Sequence, residues 1–279
     1  VNSYYNIPIL AYHKIEHRLE FGVTTVFPTQ FEKQMRFLAS RGYRSISLSE
    51  LLDNKQKKEE KNVALTFDDA YQNVIINGLS IMKEYGFKAT VFVVSDFVGK
   101  ENLWDVNLGF RGFRHMGWKD LRYLVKLGFE IGSHSHAHPD LTKISDSEVK
   151  EELSRSKNTL EDKLGVPVRF ISYPFGRYSK RVKQIAQECG YSGGVCLSHP
   201  FKKRNDIFEL EREAVYIFDT LSNFEAKLKL FGETAFIFEK MKGRIVNFFA
   251  GATFELKRMK VFFLKKGQKW IRHWEEKNE

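Results

Sequence analysis

Two adjacent carboxylates, Asp68 and Asp69, close the apolar run Val63-Ala64-Leu65-Thr66-Phe67. Side by side at a strand end they repel unless a cation or a shared proton neutralises them, so one reading pairs a metal ligand with a general base. The plainer reading is that one caps the following helix and the other is solvated. A second group lies in Gly132-Ser133-His134-Ser135-His136-Ala137-His138-Pro139, where three of the eight histidines fall within five positions. His134 and His138, four apart, converge on one ion if the chain turns there, and Pro139 favours a turn. His136 then points elsewhere. A surface histidine cluster is the alternative, but this group is internal and follows an apolar run. Two imidazoles and one carboxylate make an open site with room for water, as in hydrolytic zinc centres. Its ligands would be Asp69, His134 and His138, with Asp68 beside them to accept a proton from water acidified toward neutral pH. A third segment, Phe170-Ile171-Ser172-Tyr173-Pro174-Phe175-Gly176, holds no strong acid or base, yet an amide in its turn can donate to a developing oxyanion.

Something must bring these segments together. Short apolar runs alternate with amphipathic stretches over the first 220 positions, the pattern of repeated βα units around a mainly parallel sheet. Strands are expected at 7–12, 43–46, 63–67, 89–94, 129–132, 170–173, 192–196 and 214–217, and helices at 29–40 and 146–164. The second helix is expected to open on an Asp146-Ser147 cap and to close at Gly165. Residues 95–117 lack periodicity and read as a rim loop. Units of this kind build either a β/α barrel or an open doubly wound sheet, and both place function at the carboxyl ends of the strands.

The three segments, in this order and each after an apolar run, resemble the polysaccharide deacetylase family, whose members share the NodB homology domain. The likeness covers most of residues 7–218 and begins at Ile7-Pro8-Ile9-Leu10-Ala11-Tyr12-His13, similar to the family's opening strand. Thr66-Phe67-Asp68-Asp69 fits its first motif and His134-Ser135-His136-Ala137-His138 its second. The resemblance implies an α/β fold, a deformed (β/α) barrel of about seven strands. It also implies hydrolysis of the N-acetyl group of an amino-sugar glycan with a divalent metal, usually Zn2+. Asp68 would be the base, Asp69, His134 and His138 the metal ligands, and the backbone amide of Phe175 the oxyanion donor. The third motif departs from the pattern: many members have Arg-Pro-Pro-Tyr-Gly, and here Ser172 stands where the arginine orients the base. Arg169 and Arg177 are nearby candidates to replace its charge. Leu197-Ser198-His199 matches a late Leu-x-His motif and makes His199 a candidate general acid, with His13 a second.

Composition bounds the rest. A chain of 279 residues, 42% hydrophobic, can bury one large core or two small ones and is neither disordered nor fibrous. Cys189 and Cys196 make neither a disulfide framework nor a thiolate zinc site, and buried thiols are expected. Of the formal charge of +10, residues 221–279 carry +6, with 13 basic against 7 acidic side chains. There the βα rhythm stops and aromatic and basic residues interleave, so 1–220 is expected to be the catalytic domain and 221–279 a helical extension. Trp270 and Trp274 would share one face of a helix whose lysines could meet an anionic membrane or merely water. No transmembrane segment and no nucleic-acid partner are expected. No signal peptide is visible, and a cytoplasmic or membrane-peripheral location is favoured. Two rival functions remain: deformylation or deacetylation of a lipid-linked amino sugar, and silent carbohydrate binding, the latter because of the missing arginine.

Overall fold

Seven short strands form a closed parallel ring in the computed structural model, which describes residues 7–18, 23–53, 60–102, 112–197 and 206–228. They are β1 (Ile9–Tyr12), β5 (Lys61–Phe67), β6 (Thr90–Val93), β7 (Glu130–Ser133), β8 (Phe170–Ser172), β9 (Gly193–Leu197) and β10 (Leu210–Ala214). The ring closes because β1 pairs with β5 on one side and β10 on the other. An eighth strand, β4 (Tyr43–Ser45), extends the sheet beside the start of β5, and β2 (Lys14–Ile15) with β3 (Thr25–Val26) makes a separate parallel pair. The expected deformed barrel of about seven strands is what the chain forms.

The strands are apolar because both faces are covered, one by the barrel interior and one by helices. Outside run α1 (Pro28–Ser40), α3 (Leu79–Glu84), α4 (Trp118–Lys126), α5 (Asp146–Leu164) and α6 (Lys180–Glu188). Helix α1 presents Phe31, Met35 and Leu38 to the core. Helix α5 is capped by Ser145 rather than by the Asp146-Ser147 pair: its hydroxyl accepts from the Glu148 amide while the Glu148 side chain accepts from the Ser145 amide. The helix ends at Gly165, whose φ of +68° suits a residue without Cβ.

Ile9, Ala64, Phe92, Phe170, Val195 and Leu210 form one buried cluster, with Leu48 and Leu51 of α2 (Leu48–Leu52) packed into it. Helix α2 plugs the amino-terminal end of the barrel: the Leu48 amide and the Ser49 hydroxyl donate to Glu130, the first residue of β7. Gly132 leaves room for this filling, since a Cβ there would lie 2.4 Å from the Phe92 ring. Two residues further along β5, β8 and β10 the interior turns polar, with Thr66, Ser172 and Arg212, all fully or almost fully buried.

One expected strand is misplaced. The segment expected at 214–217 lies at Leu210–Ala214, because Leu-Glu-Arg-Glu-Ala has the composition of an exposed helix while its alternation sends Leu210 and Arg212 into the barrel. Of the basic extension, only residues up to 228 are described. Helix α7 (Leu221–Lys227) packs on α1, with the Phe224 and Phe37 rings 6.2 Å apart, and buries a Lys227–Asp219 ion pair at 3.0 Å. The remaining residues of the extension, and His199, lie outside the described residues. Among the described residues no helix is long and apolar enough to cross a membrane. Cys196 is buried and Cys189 half-buried, and neither is in a disulfide.

Candidate active site

Three strands deliver the expected side chains to the carboxyl end of the barrel. Asp68 and Asp69 follow β5, His134 and His138 follow β7, and Phe175 sits in the turn after β8. Asp69 Oδ1 lies 3.7 Å from His134 Nε2 and 3.8 Å from His138 Nε2, and the two imidazole nitrogens are 3.2 Å apart. All three side chains are buried. His134 Nδ1 lies 2.7 Å from the Ser172 carbonyl. A carbonyl only accepts, so Nδ1 carries the proton and the Nε2 lone pair faces the cluster, the way metal-binding histidines are oriented. The donor set thus fits a divalent cation held by one carboxylate and two imidazoles.

The histidine turn is built by its own serines and by α5. The His138 amide donates to Ser135 Oγ at 3.0 Å, the Ser135 amide donates to Ser133 Oγ at 3.2 Å, and Glu152 accepts from the amides of His136 and Ala137. His136 points away, its Nδ1 2.8 Å from the Ser95 hydroxyl, as its spacing predicts. Among the described residues, five non-glycine residues have left-handed backbones, Asp69, Ala70, Ser135, His138 and Phe175, and all five lie in these three turns. Each such residue costs about 1–3 kcal/mol, and strain of this kind persists where the surroundings over-determine it. Phe175, with φ of +58°, packs edge-on against His138 with ring centroids 4.7 Å apart, which sets its backbone beside the cluster.

The charge missing from the third motif comes from a strand that was not expected to carry it. Arg212 of β10 reaches across the barrel and clasps Asp68 with two bonds, at 2.7 and 2.8 Å. It also donates to Ser172 Oγ at 2.8 Å and Thr66 Oγ1 at 3.1 Å, so Ser172 is a partner of the arginine that replaces it. Neither expected substitute takes part: Arg169 pairs with Asp53 at 2.9 Å and Arg177 with Asp140 at 2.8 Å. Burial alone would raise the Asp68 carboxyl, but the Arg212 guanidinium outweighs it and holds Asp68 well below the usual carboxylate range. The only sequence sign of Arg212 was its period-two spacing from Leu210 and Ala214.

His13 follows β1, where the Tyr12 carbonyl accepts the Asp68 amide at 2.9 Å. Burial lowers its imidazole to about 4, against an opposing pull from Asp68, and burial also lowers His134 and His138. The folded protein keeps His13 neutral near pH 7, while the unfolded chain takes up that proton below about 6.5. Between those values the unfolded state binds more protons, so this contribution is complete above about pH 6.5 and is lost as pH falls toward 4. The urea midpoint of the metal-free protein should therefore decline steadily from pH 7 to pH 4.5; a flat midpoint would contradict a buried neutral His13.

The geometry has counterparts among known proteins. The family model for polysaccharide deacetylases matches residues 55–194, half of the chain. The chain belongs to the polysaccharide deacetylase family. Among relatives of the family, Bacillus subtilis YxkH is 28% identical over 192 residues, covering 68% of this chain and 63% of that protein. The poly-β-1,6-N-acetyl-D-glucosamine N-deacetylase of Staphylococcus aureus is 26% identical over 184 residues, covering 62% of this chain and 61% of that protein. The chain therefore spans less than two thirds of the length of either relative. The solved Streptococcus pyogenes deacetylase PplD, in complex with acetate, superposes with a TM-score of 0.68 at 26% identity, over 80% of this chain and 97% of that one. A Bacillus cereus polysaccharide deacetylase superposes at 0.67 with 25% identity, over 80% of this chain and 68% of that one.

Proposed function

We propose that the chain is a metal-dependent N-deacetylase of an amino-sugar glycan, with Asp68 as general base, Asp69, His134 and His138 as metal ligands, and Zn2+ as the ion. The observation that carries this reading is the buried Arg212–Asp68 pair beside the Asp69, His134 and His138 cluster. It sets one carboxylate apart from its neighbour, ionised and aimed, next to a donor set suited to a cation. A bound divalent ion would polarise the acetamide carbonyl and acidify an adjacent water. Asp68 takes the proton of the attacking water. The Phe175 N–H donates to the carbonyl oxygen as it gains charge. The C–N bond then breaks, and the protonated Asp68 hands its proton to the departing amine, leaving acetate and a free amino sugar; His13, neutral near pH 7, is not the donor. Arg212 removes the motive for a silent carbohydrate-binding relative, since the guanidinium lost from the third motif is supplied by β10.

The test is acetate and formate release from β-1,6-linked poly-N-acetylglucosamine, chitin oligomers, peptidoglycan fragments and lipid-linked amino sugars, with Zn2+ supplied. Release of acetate from one glycan class supports the reading. Stoichiometric metal with no acid released from any of them defeats it. His134→Ala is expected to lose both bound metal, measured by elemental analysis after gel filtration, and turnover.

A further inference from the structure

Asp69 and Ala70 are consecutive non-glycine residues with φ of +66° and +49°, backbone conformations that L side chains disfavour. A short antiparallel ribbon holds them. Met116 donates its amide to the Ala70 carbonyl at 2.8 Å, Gln72 donates to the Arg114 carbonyl at 2.9 Å, and Tyr71 bridges His115. The ribbon is itself anchored, with the His115 amide donating to Lys100 O and the Gly99 amide to Met116 O, both at 2.9 Å. These backbone bonds reach Ala70 and beyond. The Asp69 carbonyl is met by a side chain: His115 Nδ1 lies 2.6 Å from it. The carbonyl can only accept, so Nδ1 is the protonated nitrogen. The ring is 2% exposed and stacks on Tyr71, with centroids 4.9 Å apart and planes 24° apart, while Phe97 packs on it at 5.7 Å. Its orientation leaves the Nδ1 proton aimed at the one residue whose strained backbone directs a carboxylate at His134 and His138.

We propose that His115 is a positioning residue: by donating to the Asp69 carbonyl it holds Asp69 in the left-handed conformation that presents its carboxylate to the two imidazoles, and so sets the affinity of the cluster for a divalent cation. The proposal rests on the metal-binding reading above. The direction of the Asp69 Cα–Cβ bond follows its backbone, so relaxation of φ toward the ordinary negative range swings the carboxylate off the shared point. His115 itself is an outer partner, its Nδ1 committed to a carbonyl, and acts through Asp69.

Equilibrium competition of Zn2+ against a chromophoric chelator tests this on the wild type and on His115→Phe, His115→Asn and His115→Gln, each also followed by thermal unfolding. Phenylalanine keeps the stack and loses the donor. Asparagine places an amide N–H near the position of Nδ1, and glutamine reaches instead toward the position of Nε2. His115→Phe and His115→Gln should weaken Zn2+ binding by about 10–100-fold, the loss usual for an outer partner of a metal ligand, and His115→Asn should recover most of it. A merely structural histidine would lower the melting temperature of all three variants alike and leave Zn2+ affinity unchanged, and that result overturns the proposal. If His115→Phe does not fold, equal Zn2+ affinity in the asparagine and glutamine variants overturns it as well. Failure of the wild type to bind Zn2+ stoichiometrically strikes the metal-binding reading instead.

Discussion

Arg212→Met is expected to destabilise the fold by about 3–5 kcal/mol, because it leaves the Asp68 carboxylate buried with no counter-charge. The two side chains are 1% and 5% exposed, so solvent screens the pair little. The loss should be read by urea denaturation at neutral pH. Asp68→Asn/Arg212→Met should be more stable than the sum of the two single changes, since the double variant buries no charge at this point. Strict additivity would mean that the pair is not coupled. Activity provides a separate readout. Arg212 keeps the Asp68 carboxyl low, so its removal raises that value, and a base must be deprotonated to work. The acid limb of kcat/KM should therefore move to higher pH in Arg212→Lys, which keeps a charge but loses the two-pronged grip. An acid limb unmoved from the wild type would detach Arg212 from the base.

Asp68→Asn is expected to lower kcat by about 10²–10⁴, the usual contribution of a positioned general base, while leaving metal in place. The asparagine can still accept one bond from Arg212 and adds no bulk, so the barrel mouth keeps its shape. Metal content equal to wild type with turnover near the background marks Asp68 as the proton acceptor. Retained turnover would remove it from that role. Loss of metal together with turnover would show that the two neighbouring aspartates do not divide the work. The contrast with His134→Ala, in which both are expected to vanish, separates ligand from base within one set of measurements.

The repeated βα units and most of the site were legible because their signals are local, whereas the choice of a closed barrel over an open sheet came only with the family resemblance. Val63 to Phe67 is an apolar run ending on two acids, and His134 and His138 carry a spacing and a following proline that demand a turn, so residue types alone place both at strand ends. The structure adds what local pattern cannot hold. Arg212 lies 144 positions from Asp68. It sits in a stretch of alternating charges that reads as surface, because a buried arginine is sensible only once its partner across the barrel is known. Arg169 and Arg177 were attractive through nearness in sequence to the third motif, but each had a closer carboxylate, Asp53 and Asp140. His115 gave no signal either. It belongs to a stretch without periodicity, and its value lies in one carbonyl 46 positions away.

Strand β10 has two duties. It is the last strand of the ring, seated between β9 and β1, and it carries the guanidinium that meets Asp68. Before it docks, the other six strands could line up only around an uncompensated carboxylate, a costly arrangement in a water-poor interior. Shutting the ring and balancing that charge are thus one event, which favours an all-or-none assembly over a stable open barrel. Because the strand is encoded after every other part of the ring, a chain emerging from the ribosome holds its two aspartates and two histidines long before it can bury them.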